Sequence, residues 1–214
     1  MEFKYAIFDL DMTLIDSIIP LRISANLLAR EFGLREVTYE EVKAAEKTLP
    51  NATYESLWQT LWGRYEPAWF EVYRDRLAES EFAAMKLFPG GRETLEALRD
   101  LGVVLGLASN RDRPRRALAV LGIEPLFQAV VGQLDVPRPK PAPDMLLKAL
   151  ELLKARPEEA VYVCDSKGDL LCSAAAGVRA FSVTTGGHDQ AELSALGAWR
   201  VGSGLPDVLK AFSN

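Results

Sequence analysis

The sequence predicts an α/β fold: a Rossmann-like parallel-sheet core with helices on both faces, interrupted after its first strand by a helical insert. From Gly91 onward, short apolar segments alternate with amphipathic ones, which is typical of buried parallel strands joined by helices. Residues 16–87 instead carry apolar residues at helical spacing and contain no strand-like run. We therefore expect a core of residues 1–15 and 88–214 and a helical cap at residues 16–87.

Each element follows from local pattern and from turn or cap residues. Core strands are predicted at Phe3–Phe8, Val103–Ala108, Ala129–Val131, Ala160–Cys164, Ala180–Val183 and Trp199–Val201. Cap helices are predicted at Ile18–Phe32, Glu40–Lys47, Tyr54–Trp62 and Pro67–Glu79. Core helices are predicted at Arg92–Leu101, Arg113–Leu121, Asp144–Leu153, Leu170–Ala176 and Gln190–Leu196, with a last one from Pro206. Asp112 is placed to cap the helix that follows it.

Composition narrows the class of protein. The 214 residues are 49% hydrophobic and carry a formal net charge of −5, which gives no indication of binding to nucleic acid or to an anionic membrane. No apolar run approaches the ~20 residues that span a bilayer, and the first residues lack a signal-peptide pattern, so a cytoplasmic protein is predicted. A single histidine, His188, excludes a multi-histidine metal site, so carboxylates would have to hold any divalent ion, which favours Mg²⁺.

Polar side chains follow four of the predicted strands or lie in the loops between them. Because the carboxyl ends of parallel strands share one edge of a sheet, residues far apart in sequence should converge there. The candidates are Asp9, Asp11, Thr13, Ser109, Asn110, Lys140, Asp165 and Asp169. Four crowded carboxylates repel one another unless a cation neutralises them, and Mg²⁺ with its oxygen ligands meets that requirement. A lysine and a hydroxyl beside the ion would form a pocket for a dianionic phosphoryl group.

The same segments resemble, in order and spacing, the four motifs of the haloacid dehalogenase-like (HAD) superfamily, in its phosphoglycolate phosphatase-like branch. They are DLDMTLIDS, the strand end at Ser109, the Lys140 loop and CDSKGD, and the resemblance covers the whole chain. It implies that Asp9 is the nucleophile and a metal ligand. It also implies that Asp11 is the general acid/base and gives its backbone carbonyl to the metal, and that Asp165 is a further ligand.

The resemblance further implies that Ser109 and Lys140 hold the phosphoryl group, that Thr13 supports the first loop, and that Asp169 assists Asp165 or positions Lys140. Asn110 we add to the phosphate-binding group, because it stands at a predicted helix start where anions bind. Cys164 departs from the glycine of many relatives but removes no ligand. Asp11 argues against a dehalogenase, because those relatives lack the second acid.

The predicted function is Mg²⁺-dependent hydrolysis of a small phosphomonoester, a phosphoglycolate-like metabolite, through an aspartyl-phosphate intermediate. Two alternatives stay open: a phosphomutase using the same chemistry, and a non-catalytic phospho-acceptor or regulatory module. The expected partner is a small phosphorylated metabolite, with no nucleic acid or membrane, and the chain is expected to be a monomer or homodimer. The basic run Arg111–Arg116 is interpreted as a solvated face or as a ring of cations at the site mouth.

Overall fold

The computed structural model of the chain describes residues 3–49 and 53–212. The chain divides into two compact units. One, the core unit, takes the residues up to Ile15 and those from Leu87 onward, and the other, the helical unit, takes Asp16–Lys86. None of the helices in the described ranges combines the length and the apolarity needed to cross a membrane.

The core unit is built on a six-stranded sheet in the order β3-β2-β1-β4-β5-β6, in which every neighbouring pair is parallel. The strands are β1 (Tyr5–Phe8), β2 (Val104–Ala108), β3 (Phe127–Val131), β4 (Ala160–Cys164), β5 (Arg179–Val183) and β6 (Arg200–Gly202). All five residues of β4 are buried, as expected for a strand covered on both faces. The predicted fold class is confirmed.

The register brings the carboxyl ends of the central strands level. Phe8, the last residue of β1, is paired with Leu107 of β2 and with Val163 of β4. The ladder continues past the strand end, because the Asp9 amide donates to the Val163 carbonyl at 2.9 Å. The residues that follow β1, β2 and β4 therefore meet at one edge of the sheet.

Helices of the core unit pack on this sheet. They are α6 (Gly91–Asp100), α7 (Pro114–Val120), α8 (Asp144–Leu153), α9 (Lys167–Ala176) and α10 (Gln190–Ala195), with a C-terminal 3-10 helix at Leu205–Ala211. The predicted cap by Asp112 is wrong: Arg113 precedes α7 and no side chain caps it, while the Asp112 carboxylate accepts a hydrogen bond from Gln133 Nε2. Pro114 does occupy the first turn, where its missing N–H costs nothing.

The helical unit contains α1 (Ile18–Phe32), α2 (Tyr39–Thr48), α3 (Tyr54–Trp62), α4 (Pro67–Val72) and α5 (Ala78–Ala84). A turn of π-helix at Tyr73–Leu77 separates α4 from α5, so the predicted single helix over Pro67–Glu79 is interrupted. The Tyr73 hydroxyl, at the start of this turn, donates to the Glu81 carboxylate at 2.9 Å. The aromatic residues form the core of this unit, with Trp58 and Trp69 both 1% exposed.

The segments on either side of the helical unit are joined within the core unit. The Phe88 amide donates to the Leu14 carbonyl at 2.9 Å, and Ile15 and Leu87 form an isolated antiparallel bridge. The chain therefore leaves the core unit and returns to it at neighbouring points, just after β1.

Candidate active site

The candidate site is built around the ammonium group of Lys140, which is 5% exposed. Its Nζ lies 2.5 Å from Asp9 Oδ1 and 2.7 Å from Asp169 Oδ1. It also donates to the Tyr162 hydroxyl at 3.0 Å and to the Ala108 carbonyl at 3.2 Å. Burial works against the charge of Lys140, but the two carboxylates outweigh it and raise the pKa of Lys140 above its ordinary value. Lys140 is therefore a fixed cation that links the loop after β1 to α9.

Asp169, in the first turn of α9, is held by donors on every side. Besides Lys140, it accepts from the Tyr162 hydroxyl at 2.7 Å and from the Ser166 hydroxyl, while its own amide donates to Ser166 Oγ at 3.2 Å. Burial would raise the pKa of Asp169, but Lys140, Ser166 and Tyr162 together hold that pKa below its ordinary value. Asp169 is thus a permanent anion whose oxygens both serve to position other groups.

Asp165, directly after β4, has only one of its two oxygens engaged by the described residues. Its Oδ1 accepts from the Thr13 hydroxyl at 3.1 Å, and the role of Thr13 in supporting the first loop stays a prediction. Gly186, in the loop after β5, lies against the other oxygen, because a Cβ at Gly186 would overlap Oδ2 and stand 2.8 Å from Asp165 Cγ. The same loop is tied to the loop after β1, since Thr185 Oγ1 donates to the Met12 carbonyl at 2.5 Å.

Ser109 and Asn110 follow β2 and differ in their surroundings. Ser109 is fully buried and its Oγ accepts from the Arg111 amide at 3.3 Å, which leaves its hydroxyl hydrogen available to an acceptor. Asn110 pairs with the Lys140 main chain in both directions, donating from Nδ2 to the carbonyl at 3.3 Å and accepting from the amide at 3.1 Å. The Asn110 side chain therefore fixes the Lys140 loop, and phosphate binding by Asn110 stays a prediction.

Asp11 faces Arg111 across the sheet edge. Arg111 Nε lies 3.0 Å from Oδ1 and 2.9 Å from Oδ2 of Asp11, and Nη2 lies 2.7 Å from Oδ1. This is the bidentate arrangement that gives arginine its selectivity for carboxylates. Of the basic run that the sequence presents, Arg111 is the member that contacts a predicted site residue.

Charge in the buried cluster is unbalanced. One oxygen each from Asp9, Asp165 and Asp169 lie within 4.8 Å of one another, whereas Lys140 is the one cation that contacts them among the described residues. Burial, with added repulsion from Asp169 and Asp11, raises the pKa of Asp9 to about 7 although Lys140 opposes the shift. Burial, Asp169 and Asp9 raise the pKa of Asp165 well above its ordinary value. Hard, crowded carboxylate oxygens of this kind fit a divalent cation.

Sequence reasoning missed three contributors to this arrangement: Tyr162, Thr185 and Gly186. Tyr162 lies in the apolar run of β4. The sequence feature that could have identified it is a hydroxyl group in a strand that is otherwise hydrophobic. Gly186 belongs to a Gly-Gly pair after β5, which marks a close backbone approach without saying to what. His188 lies in the same loop, with Nδ1 3.6 Å from Glu192 Oε2 of α10.

Comparison with known proteins decides the family. The model of the family described as "Haloacid dehalogenase-like hydrolase" matches residues 6–183 of the chain. The chain belongs to this family. This match confirms the family that the four motifs resemble, and it confirms the predicted hydrolase class.

Similar proteins agree with this assignment. The chain is 30% identical over 178 residues to a phosphoglycolate phosphatase of Aquifex aeolicus, covering 82% of each chain. It is also 30% identical over 207 residues to a phosphoglycolate phosphatase of Chromobacterium violaceum, covering 91% of this chain and 90% of the relative. A HAD family hydrolase from Deinococcus radiodurans R1, solved with bound phosphate and sodium, superposes with a TM-score of 0.80 at 24% identity, over 99% of this chain and 95% of the other.

Replacing Gly186 tests the packing around Asp165. We expect Gly186→Ala to displace the Asp165 carboxylate and to weaken metal binding by about 10- to 100-fold, the range found when groups that orient a ligand are disturbed. The affinity for Mg²⁺ is measured by calorimetry and by activation of turnover. Gly204→Ala is the matched control, because its added Cβ would meet its nearest atom, in Pro206, at 3.9 Å. Equal affinity in the two variants would contradict the role of Gly186.

The raised carboxyl pKa values predict how stability depends on pH without metal. Between its ordinary value of 3.8 and about 7, Asp9 binds more protons in the folded than in the unfolded state, so stability falls as pH rises through this window. The raised pKa of Asp165 likewise makes stability fall as pH rises. The lowered pKa of Asp169 changes stability only below pH 3.8, so it does not offset this fall. Mg²⁺ binds the deprotonated carboxylates, so the rise in thermal midpoint on adding it should grow from about pH 5 to about pH 7.5.

Thermal unfolding in EDTA and in Mg²⁺ across this pH range measures the effect. Asp9→Asn should flatten the pH dependence in EDTA, and Asp100→Asn, at a surface ion pair with Arg99, should leave it unchanged. A rise in midpoint on adding Mg²⁺ that does not vary with pH would show that these carboxyl groups do not hold the ion.

Proposed function

We propose that the chain is a Mg²⁺-dependent phosphatase that hydrolyses a small phosphomonoester of the phosphoglycolate type through an aspartyl-phosphate on Asp9. The observation that carries the proposal is the buried cluster of Asp9, Asp165 and Asp169 with a single lysine among them. With all three acids ionised, the cluster and Lys140 leave two negative charges in a buried position. A divalent cation balances that charge, and an ion so placed also attracts a phosphoryl dianion.

Ligands for the ion follow from which oxygens are unused. No hydrogen bond in the described part of the chain engages Asp9 Oδ2 or Asp165 Oδ2, while both oxygens of Asp169 are bound by donors. Asp9 and Asp165 would therefore hold the ion directly, with the Asp11 main-chain carbonyl as the third protein ligand. Asp169 would act by positioning Lys140. When bound, Mg²⁺ neutralises the phosphoryl oxygens and keeps Asp9 ionised.

The chain's own residues then divide the reaction. Asp9 attacks phosphorus with Oδ1, the oxygen that Lys140 orients, while Oδ2 would hold the ion, and the bond between phosphorus and the ester oxygen breaks. Asp11 gives a proton to that oxygen as the alcohol departs. Asp11 next takes a proton from water, which attacks the phosphorus of the aspartyl-phosphate. The bond between phosphorus and the Asp9 oxygen breaks, so Asp9 returns to its carboxylate form and inorganic phosphate leaves. Ser109 and Lys140 hold the phosphoryl oxygens in both steps.

The substrate class rests on two supports. The two relatives described above are named phosphoglycolate phosphatases, at 30% identity over most of each chain. The second is the cation Arg111, which lies beside the proposed leaving-group acid Asp11. Together they favour a small phosphate ester that carries a further negative charge.

Phosphate release tests the proposal. Wild-type protein and Asp9→Asn are assayed on p-nitrophenyl phosphate and on a panel of small phosphometabolites that includes 2-phosphoglycolate, each with Mg²⁺ and with EDTA. We expect turnover that requires Mg²⁺ and falls at least about 1,000-fold in Asp9→Asn, because the nucleophile is removed. Asp100→Asn, a surface acid, is the matched control and should retain wild-type turnover.

Two outcomes would contradict it. Wild-type protein that is folded and releases phosphate from no substrate would favour the phosphomutase or regulatory alternatives. Turnover that persists in EDTA would contradict the requirement for Mg²⁺. Turnover that persists in Asp9→Asn would contradict an aspartyl-phosphate on Asp9. The cap role of the helical unit, a cytoplasmic location and a monomeric or homodimeric state stay predictions.

A further inference from the structure

We propose that Arg111 determines substrate specificity by binding a carboxylate on the leaving group, and that Asp11 occupies this position in the structure. The inference rests on the proposed phosphatase function and names the substrate group that the site selects. A phosphate ester with a carboxylate on the adjacent carbon would be preferred over the same ester without it.

The carboxylate-binding geometry is already formed. The guanidinium group of Arg111 makes three contacts of 2.7–3.0 Å that engage both oxygens of Asp11. The side chain of Arg111 is 17% exposed and that of Asp11 is 34% exposed, so the pair lies at the surface of the site. A guanidinium group so placed can exchange one carboxylate for another without moving its main chain.

The main chain of Arg111 is anchored next to the phosphoryl pocket. Its amide donates to Ser109 Oγ at 3.3 Å, and its carbonyl accepts from the Gln133 amide at 3.2 Å. Gly132 packs against the same carbonyl, where a Cβ would stand 2.8 Å away. Ser109 is a proposed phosphoryl ligand, so the guanidinium group extends from a fixed point directly beside that pocket.

Asp11 sets where the substrate carboxylate would lie. In the proposed reaction the Asp11 carboxyl group meets the ester oxygen of the leaving group. Arg111 contacts that same carboxyl group, so it lies close to the first atoms beyond the ester oxygen. In 2-phosphoglycolate the carboxylate carbon is two bonds from the ester oxygen. Asp11 cannot pair fully with Arg111 and also approach the ester oxygen. A substrate carboxylate that binds Arg111 would release Asp11 for the ester oxygen.

Other cations near the site do not fit this role. Lys140 is bound by Asp9 and Asp169. Arg115 pairs with Glu124 and Arg138 with Asp144, and their side chains are 60% and 71% exposed. Arg111 is therefore the candidate that combines a largely buried side chain with contact to Asp11.

The test compares two substrates that differ in the carboxylate alone. Steady-state kinetics with Mg²⁺ on 2-phosphoglycolate and on ethyl phosphate are measured for wild type, Arg111→Met, Arg111→Lys and the control Arg113→Met, an exposed arginine two residues along the chain. For 2-phosphoglycolate we expect Arg111→Met to lower kcat/KM by about 10- to 100-fold, chiefly through KM, as for loss of a charge-assisted hydrogen bond. For ethyl phosphate we expect kcat/KM to change less than about threefold or to rise, because Asp11 is released.

Arg111→Lys should fall between wild type and Arg111→Met on 2-phosphoglycolate, because it keeps the charge and loses the planar pair of donors. Arg113→Met should match wild type on both substrates. Circular dichroism and the thermal midpoint establish that each variant is folded.

Three results would overturn the inference. If Arg111→Met lowered kcat/KM equally on both substrates, through a lower kcat, Arg111 would act only by positioning Asp11. A wild-type protein that turns over ethyl phosphate as well as 2-phosphoglycolate would show that the site does not select a carboxylate, while leaving the phosphatase function intact. A folded wild-type protein that hydrolyses neither of these nor p-nitrophenyl phosphate would remove the proposed function and this inference with it.

Discussion

The buried ammonium group of Lys140 holds two carboxylates that would otherwise repel each other inside the protein. Its contacts join Asp9, 131 residues away in sequence, to Asp169, 29 residues away. Both pairs are almost fully buried, where a lone charge costs several kcal/mol to desolvate. Removal of Lys140 would leave Asp9 and Asp169 as uncompensated buried charges. The loops after β1 and β3 and the start of α9 are therefore fixed relative to one another by electrostatics as well as by the sheet.

The sheet makes this convergence predictable from sequence. Apolar runs that end in polar residues identify the strands, and parallel strands bring those polar residues to one edge. Asp9, Ser109 and Asp165 follow strand ends directly and can be selected in this way. Lys140 and Asp169 lie farther from a strand end, and their selection depends on the constellation and on the resemblance to the family motifs. Strand and helix bounds agree closely, and the helices at Ile18–Phe32 and Asp144–Leu153 match to the residue.

Side-chain choices between neighbouring partners were harder to predict. Asp112 stands where a helix cap is expected, yet it bonds Gln133 from the next loop, and only the tertiary structure brings Gln133 within reach. Arg111 is one of several arginines in sequence, and nothing in the run distinguishes the one that pairs with Asp11. Tyr162 reads as a strand residue because burial dominates its pattern, although its hydroxyl bonds Lys140 and Asp169. Such contacts depend on distances between segments, which periodicity does not encode.

The point where the helical unit joins the core unit is narrow. Leu14 and Phe88 share a main-chain hydrogen bond of 2.9 Å, and Ile15 and Leu87 form an isolated bridge. The segments that leave and re-enter the core unit are therefore hydrogen-bonded to each other within it. The 71 residues of Asp16–Lys86 form in effect a long excursion whose two ends are already closed. The entropy of closing such a loop changes slowly with its length. Natural variation can therefore lengthen, shorten or replace the excursion while the sheet and its charged edge are retained.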